Sequence, residues 1–379
     1  MASGVLVSDD GLVVTNAHVA EGCQAIRATY ISGPSRRSYD ATLKYYDKAT
    51  DTAVLKLPAR DLDHFDLGPW AKYEEVRVGA RVYAIGNPRG LEQSISEGIV
   101  SGIRKENGVT WIQHSAPISP GSSGGALISS AGDLLGINSF LLEDSQNLNF
   151  AVPASTLITA LSAARSRVWR EAAEHGDAEA ASALRKAADE GDAPAQLNLG
   201  LLYYEGHAVP QDYAQAPAGV RKAAEQGNAE AQASLGAAYD MGRGVQQDYA
   251  QATAWLRKAA EQGYAKAQDR LGTAYALGKG VQQDDAQAAV WIRKAAEQGI
   301  ADSQVYLGVS YMAGVGVPKD FSESYFWLKI ATAGKTPGWV PGEIRSWLDF
   351  SAEHLTPAAS SHVQERVREW LATHPTNPE

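Results

Sequence analysis

Two hydrophobic rhythms divide the chain. In its first half, short apolar runs such as Leu12-Val13-Val14-Thr15 and Thr52-Ala53-Val54-Leu55-Lys56-Leu57 are rich in β-branched residues and bounded by Gly, Asp, Asn and Pro, the pattern of short strands joined by turns. From about residue 168 the β-branched alternation gives way to Ala, Glu, Gln, Lys and Arg, all strong helix formers. A domain boundary is therefore expected within residues 156–168.

The second half repeats itself every 36 residues: Gly191, Gly227, Gly263 and Gly299 keep step with Gly200, Gly236, Gly272 and Gly308, with Tyr203, Tyr239, Tyr275 and Tyr311, and with Asp212, Asp248, Asp284 and Asp320. Each period reads as one helix ending near the Tyr, a glycine loop, an Asp able to cap a second helix, and that helix closing at Glu-Gln-Gly. Such helical hairpins bury a core only by stacking on their neighbours, and the ends need polar caps. In the first copy, Gly219 stands where later copies have Trp255, Trp291 and Trp327, and Pro217 falls inside the second helix, which predicts a bent or loosely packed hairpin.

Chemistry concentrates in the first half. Gly121-Ser122-Ser123-Gly124-Gly125 presents a serine on a tight turn whose amides, Gly121, Ser122 and Ser123, can face an oxyanion. A serine attacks carbonyls only when a histidine takes its proton and an acid orients that histidine. The histidine is His18, at the end of a strand that follows the Asp9-Asp10-Gly11 hairpin signal; the acid is Asp51, opening an alternating run, with Asp47 as a rival that no strand directly follows. The order His, Asp, Ser is that of the chymotrypsin class.

The phrases SGVLVSDDGLVVTNAHV, TDTAVLKL, AIGNPRG, SEGIVSGI, SPGSSGGAL, GDLLGINSF and NLNFAVPA resemble, in order, the HtrA/Deg family of trypsin-fold serine proteases over residues 1 to about 155. The resemblance implies His18 as general base, Asp51 as its orienter and Ser123 as nucleophile, with the Gly121 and Ser123 amides as oxyanion donors. Family members commonly carry Asn at the positions of Ser119 and Ser122. The LG, YxxGxGVxxD and WxRKAAEQG phrases of the second half resemble the Sel-one-like repeat, a relative of the tetratricopeptide repeat.

The fold expected is thus a chymotrypsin-like double β-barrel followed by an α/α-superhelical solenoid. A trypsin-like domain is expected over 1–160, a linker and degenerate repeat over 161–191, four Sel-one-like repeats over 192–335, and capping helices over 336–379. The chain opens at what resembles the family's second barrel strand. An upstream segment with the first strand and an export signal would imply a periplasmic or secreted protein, whereas a true start at Met1 would leave a cytoplasmic one. The repeat array stands where the family usually has a PDZ domain, which makes it the candidate for capturing substrate or partner.

In trypsin-like enzymes that cut after Lys or Arg, an Asp lies six residues before the nucleophile; here that residue is Pro117. With Ala116, Ile118, Ile137 and Asn138 it suggests a small apolar pocket for aliphatic side chains, of low selectivity because one methylene is worth only ~1–3 kcal/mol. His64, His114 and His175 lack such partners and read as surface or structural, and the single cysteine, Cys23, as inert. No cluster spaced for a metal and no phosphate-binding turn occurs, so no cofactor is expected. The net charge of −10 argues against nucleic acid, and no apolar run suits a bilayer. The reading is a serine endopeptidase acting on unfolded or flexible polypeptides, with a protein or peptide partner on the solenoid; the alternative is a non-cleaving, peptide-binding scaffold.

Overall fold

The computed structural model describes residues 2–32, 35–65, 76–87, 94–106, 109–141, 148–206, 209–213, 215–333 and 341–373. Pro88-Arg89-Gly90 and Asn147 of the motif phrases, and 334–340 and 374–379 at the edges of the expected cap, lie outside the described residues. The chain divides into two units, Met1–Val168 and Trp169–Glu379.

The first unit starts with strands β1 (Val5–Leu6) and β2 (Leu12–Thr15), a single helical turn α1 (Ala17–Ala20), and strands β3 (Ile26–Ser32), β4 (Ser35–Asp47) and β5 (Thr52–Lys56). These form an antiparallel sheet in the order β1-β2-β5-β4-β3, open among the described residues. Strands β6 (Arg81–Gly86), β7 (Ser94–Glu106), β8 (Val109–His114), β9 (Ala126–Ser129), β10 (Leu134–Leu141) and β11 (Asn149–Pro153) follow, and close into a barrel in the order β10-β11-β8-β7-β6-β9. Helix α2 (Ala154–Glu174) comes next.

Alternation along the strands decides what each buries. Val5, Val7, Leu12, Val14 and Val54 of the sheet meet Ala126, Leu134, Ile137 and Val152 of the barrel and Leu157 and Leu161 of α2 in one apolar cluster. Each fully buried Leu in it stabilises the unit by ~1.5–3 kcal/mol. The cluster holds sheet and barrel against each other, and so fixes the seam between β2 and the loop before β9. The register of β10 against β11 shifts between Asn138 and Leu141. A bulge of this kind frees one stretch of strand from its ladder and re-aims its side chains; here the stretch is Ser139-Phe140.

The second unit contains α3 (Ala178–Asp189), then paired helices α4 (Ala193–Glu205) and α5 (Ala216–Glu225), α6 (Ala229–Met241) and α7 (Tyr249–Glu261), α8 (Ala265–Leu277) and α9 (Asp285–Glu297), α10 (Ala301–Ala313) and α11 (Phe321–Ala331), and finally α12 (Pro341–Glu353) and α13 (Pro357–Thr373). Asp248, Asp284 and Asp320 each accept backbone N–H groups at the start of the following helix, as the repeat pattern predicts. The first copy differs from expectation. Helix α5 begins at Ala216, so Pro217 lies in its first turn, where a missing N–H costs nothing. Gly219 lets the helix approach α4 closely, since a Cβ there would lie 2.9 Å from the Gln196 carbonyl oxygen.

Two polar ladders run through the stack. Gln226 Nε2 donates to Gln196 Oε1 at 2.8 Å, Gln262 to Gln232 at 2.8 Å and Gln298 to Gln268 at 2.7 Å. Each acceptor glutamine donates in turn to a carbonyl of the preceding helix: Ala188, Ala224 and Ala260, all at 3.1 Å. Arg221 and Arg257 donate to Tyr239 and Tyr275 hydroxyls at 2.6 Å, and Arg293 to Tyr311. At the far end, Val363 and Val367 of α13 join Phe326 and Trp327 of α11 in a shared core.

Candidate active site

His18 lies on α1, the helical turn in which β2 ends. Its Nδ1 is 2.9 and 3.0 Å from the two carboxylate oxygens of Asp51, and its backbone N–H donates to Asp51 Oδ1 at 3.1 Å. The Asp51 hydrogen bond is the largest influence on His18 and raises its pKa above the usual 6.5; burial works in the opposite direction, and the charges of Asp51 and Glu21 add to the rise. The rival acid, Asp47, is engaged elsewhere: it accepts from Ala49 N–H at 2.9 Å and Thr50 Oγ1 at 2.7 Å, shaping the turn that delivers Asp51.

Ser123 follows the turn Ser119-Pro120-Gly121-Ser122. Its Oγ donates to the Ser139 carbonyl at 2.9 Å; among the described residues it makes no hydrogen bond with His18. Ser139 also donates through its own Oγ to Asp51 Oδ2. The bulge in β10 thus links His18, Asp51, Ser139 and Ser123 into one chain of hydrogen bonds. Ser139 was invisible to pattern reasoning, because it acts across 88 residues of sequence on Asp51.

The amides of the turn are not equivalent. Ser122 N–H donates to the Ser119 carbonyl at 2.9 Å, so the expectation that it faces an oxyanion is corrected. Pro at the second and Gly at the third position of such a turn is a type II signature, and it could have foretold that the fourth residue's N–H closes the turn. Gly121 has φ 101°, as type II geometry requires of that position. The amides of Gly121 and Ser123 donate to no other group among the described residues.

The expected pocket narrows. Ala116, Ile137 and Asn138 are fully buried: Ile137 belongs to the apolar cluster between sheet and barrel, and Asn138 Nδ2 donates to the Ala126 carbonyl at 3.1 Å. These three offer no open surface, because the barrel closes over them. Pro117 is exposed and Ile118 half-buried. Of the remaining histidines, His64 and His175 face nearby carbonyls. His114 is buried in the barrel, where loss of hydration pushes its pKa down to about 4; it is a neutral core residue. Cys23 is exposed. Among the described residues no group of three or more His, Cys, Asp or Glu could hold a metal ion, and no helix is long and apolar enough to cross a membrane.

A sheet packed on a closed six-stranded barrel, with a His–Asp pair and a glycine-turn serine at their seam, fits the class of trypsin-like domains. Family comparison agrees: residues 2–137 match the family described as Trypsin-like peptidase domain, and residues 193–228, 229–264, 265–300 and 301–334 each match the Sel1 repeat. The chain carries a trypsin-like peptidase domain with HtrA/Deg homologues, followed by four Sel1 repeats. It is 39% identical over 160 residues to a protein of Halomonas elongata named probable periplasmic serine endoprotease DegP-like, covering 40% of this chain and 32% of that one. Against serine endoprotease DegS of Haemophilus influenzae the identity is 39% over 165 residues, covering 40% and 46%. Against serine protease HTR4 of Bos taurus it is 38% over 165 residues, covering 41% and 32%. The chain therefore spans less than half the length of these relatives. A solved HtrA-type protease, AlgW with a decapeptide, is 34% identical, with 44% of this chain and 51% of that chain covered and a TM-score of 0.39.

Proposed function

We propose that the protein is a serine endopeptidase that cuts unfolded or flexible polypeptides, and that its Sel1 array recruits substrate or partner. The observation that carries this reading is the hydrogen-bonded chain from His18 through Asp51 and Ser139 to Ser123. For attack, the Ser123 hydroxyl leaves the Ser139 carbonyl and turns to His18 Nε2. His18 accepts its proton as Oγ bonds to the substrate carbonyl carbon, and Asp51 stabilises the imidazolium. The negative oxygen that forms is held by the Gly121 and Ser123 amides. His18 then returns the proton to the leaving amine, leaving an acyl-enzyme that water hydrolyses by the same steps. Pro117 gives a basic side chain no counter-charge, which favours cleavage after aliphatic residues. An extracytoplasmic setting is supported by the word periplasmic in the name of the Halomonas relative.

A second reading has its own support: with Ser123 Oγ turned to Ser139 rather than His18, the domain is a peptide-binding scaffold. Labelling with a fluorophosphonate, which needs an activated serine, separates the two. The wild-type chain is expected to label and to cleave Val- or Ala-directed peptides in preference to Arg-directed ones. Ser123→Ala is expected to lose labelling and on the order of 10⁴-fold or more in turnover, and Ser122→Ala to be mild. A wild-type chain that does not label rules out the peptidase.

A further inference from the structure

Ser3 has every polar group engaged, and two of its four bonds go to the turn that carries Ser123. Its N–H donates to the Ser123 carbonyl at 2.9 Å, and its Oγ donates to the Gly121 carbonyl at 2.7 Å. That Oγ also accepts from Asn87 N–H at 3.0 Å, and the Ser3 carbonyl accepts from Thr15 Oγ1 at 2.8 Å. The fit is close: a Cβ on Gly124, at φ +82°, would lie 2.1 Å from the Ser3 carbonyl oxygen.

The consequence follows from peptide planarity. A carbonyl and the next N–H lie in one plane and point in opposite directions. In the Gly121–Ser122 plane, Ser3 Oγ holds the carbonyl and the Ser119 carbonyl holds the N–H, at 2.7 and 2.9 Å. This plane lies between the two amides that donate to no group among the described residues, those of Gly121 and Ser123. The Ser123 amide is fixed from its own side, because the Ser122 carbonyl accepts from Gly125 N–H at 2.9 Å. Rotation of the Gly121–Ser122 plane would change the angle between the two donors. The only side-chain bond that resists that rotation among the described residues comes from Ser3, 118 residues away in sequence.

We infer that Ser3 is a positioning residue: its hydroxyl locks the Gly121–Ser122 peptide, and so holds the Gly121 and Ser123 amides at the mutual angle an oxyanion requires. The kinetic consequence rests on the peptidase reading; the locking itself does not.

The test compares Ser3→Ala and Ser3→Thr with wild type in the full chain. Deleting one oxyanion donor outright lowers kcat by about 10²–10³-fold, and a donor left in place but misaimed should lose less. Ser3→Ala is therefore expected to lower kcat on a short peptide by roughly 10–100-fold with KM within about twofold. The pH at half-maximal kcat/KM should stay put, since His18 and Asp51 are untouched. Hydrogen exchange in the segment around Ser122 should quicken at least roughly tenfold while that in β9 holds, as expected for loss of one local restraint. Ser3→Thr, which keeps the hydroxyl, should restore both. If Ser3→Ala does not fold, Ser3→Cys, with a weaker donor of similar size, takes its place in the comparison. Unchanged exchange around Ser122, or a rise in KM equal to the fall in kcat, overturns the proposal. If wild type shows no Ser123-dependent turnover, the peptidase reading falls, and exchange around Ser122 alone decides the role of Ser3.

Discussion

Asp51 adopts φ 49°, a left-handed conformation that most residues avoid and that, among residues with a side chain, Asp and Asn are among the best to tolerate. Asn16 Nδ2 anchors its carbonyl at 3.1 Å, while its carboxylate takes bonds from His18 and Ser139. That arrangement favours protonated His18 and lifts its pKa above 6.5. Peptidase activity needs the neutral imidazole, so kcat/KM should rise with pH along a limb centred above 6.5. In Asp51→Asn the limb should move to lower pH and the plateau fall on the order of 10⁴-fold; a pH–rate profile of both proteins checks this, and an unmoved limb would dissociate Asp51 from His18. For stability the sign is opposite. A raised folded pKa stabilises the native state below pH 6.5 and ceases to do so as pH climbs past that raised value, and half exposure of His18 keeps the effect small. His18, Asp51 and Ser123 could be named from sequence because each sits in a local pattern of strand, turn and glycine. Ser139 and Ser3 could not. Both fall inside phrases that carry the family resemblance, but each works through a contact 88 or 118 residues away, which the local pattern does not encode.

At the level of elements, the helical repeats were legible almost to the residue, since the same glycine, tyrosine and aspartate recur at one spacing and each has a local cause in a cap or a turn. The boundary expected near 156–168 meets the division after Val168, but that the division falls inside the 21-residue helix α2 was not legible. Its Leu157, Leu161 and Ala164 pack on the strands, and a change from strand to helix composition marks a change of element rather than the end of a domain. The open order of the first sheet depends on non-local pairing, which periodicity does not encode. The glutamine ladder, by contrast, can be tested element by element. Gln268 is buried, donates to the Ala260 carbonyl and accepts from Gln298. Gln268→Met keeps the volume and removes both bonds, while the Ala260 carbonyl keeps the Gly263 N–H and Gln298 keeps the Lys294 carbonyl, so the helical unit should lose only the net worth of the lost bonds, ~0.5–1.5 kcal/mol. Chemical denaturation followed by helical circular dichroism measures it; a cost near zero would mean the ladder is decoration on a stack held by its apolar core.

For the whole molecule, the separation into two units predicts a division of labour. A fragment of residues 1–174 keeps all of α2 and every residue proposed for chemistry, and should cleave short peptides at the rate of the full chain. A fragment of residues 169–379 keeps Trp169 and Ala173 in their cluster with Leu184 and Leu202, and should fold as a helical array that binds a partner without cutting it. Joined, the two should outperform the peptidase fragment only on large substrates, through raised effective concentration. Parallel assays on a short peptide and a denatured protein test this, and loss of short-peptide activity in the folded 1–174 fragment would make the repeats an activator rather than a tether. The glutamine ladder bears on how such an array can change over time. Each Gln–Gln bond lies within one repeat, and the same glutamine ties that repeat to the one before through an Ala carbonyl, so excising residues 229–264 would bring Gln268 into the place vacated by Gln232, with Ala224 ahead of it as before. Reach is therefore a quantity this architecture can alter in whole steps of one hairpin, by duplication or loss of a single stretch of coding sequence, with no new interface to invent at the junction.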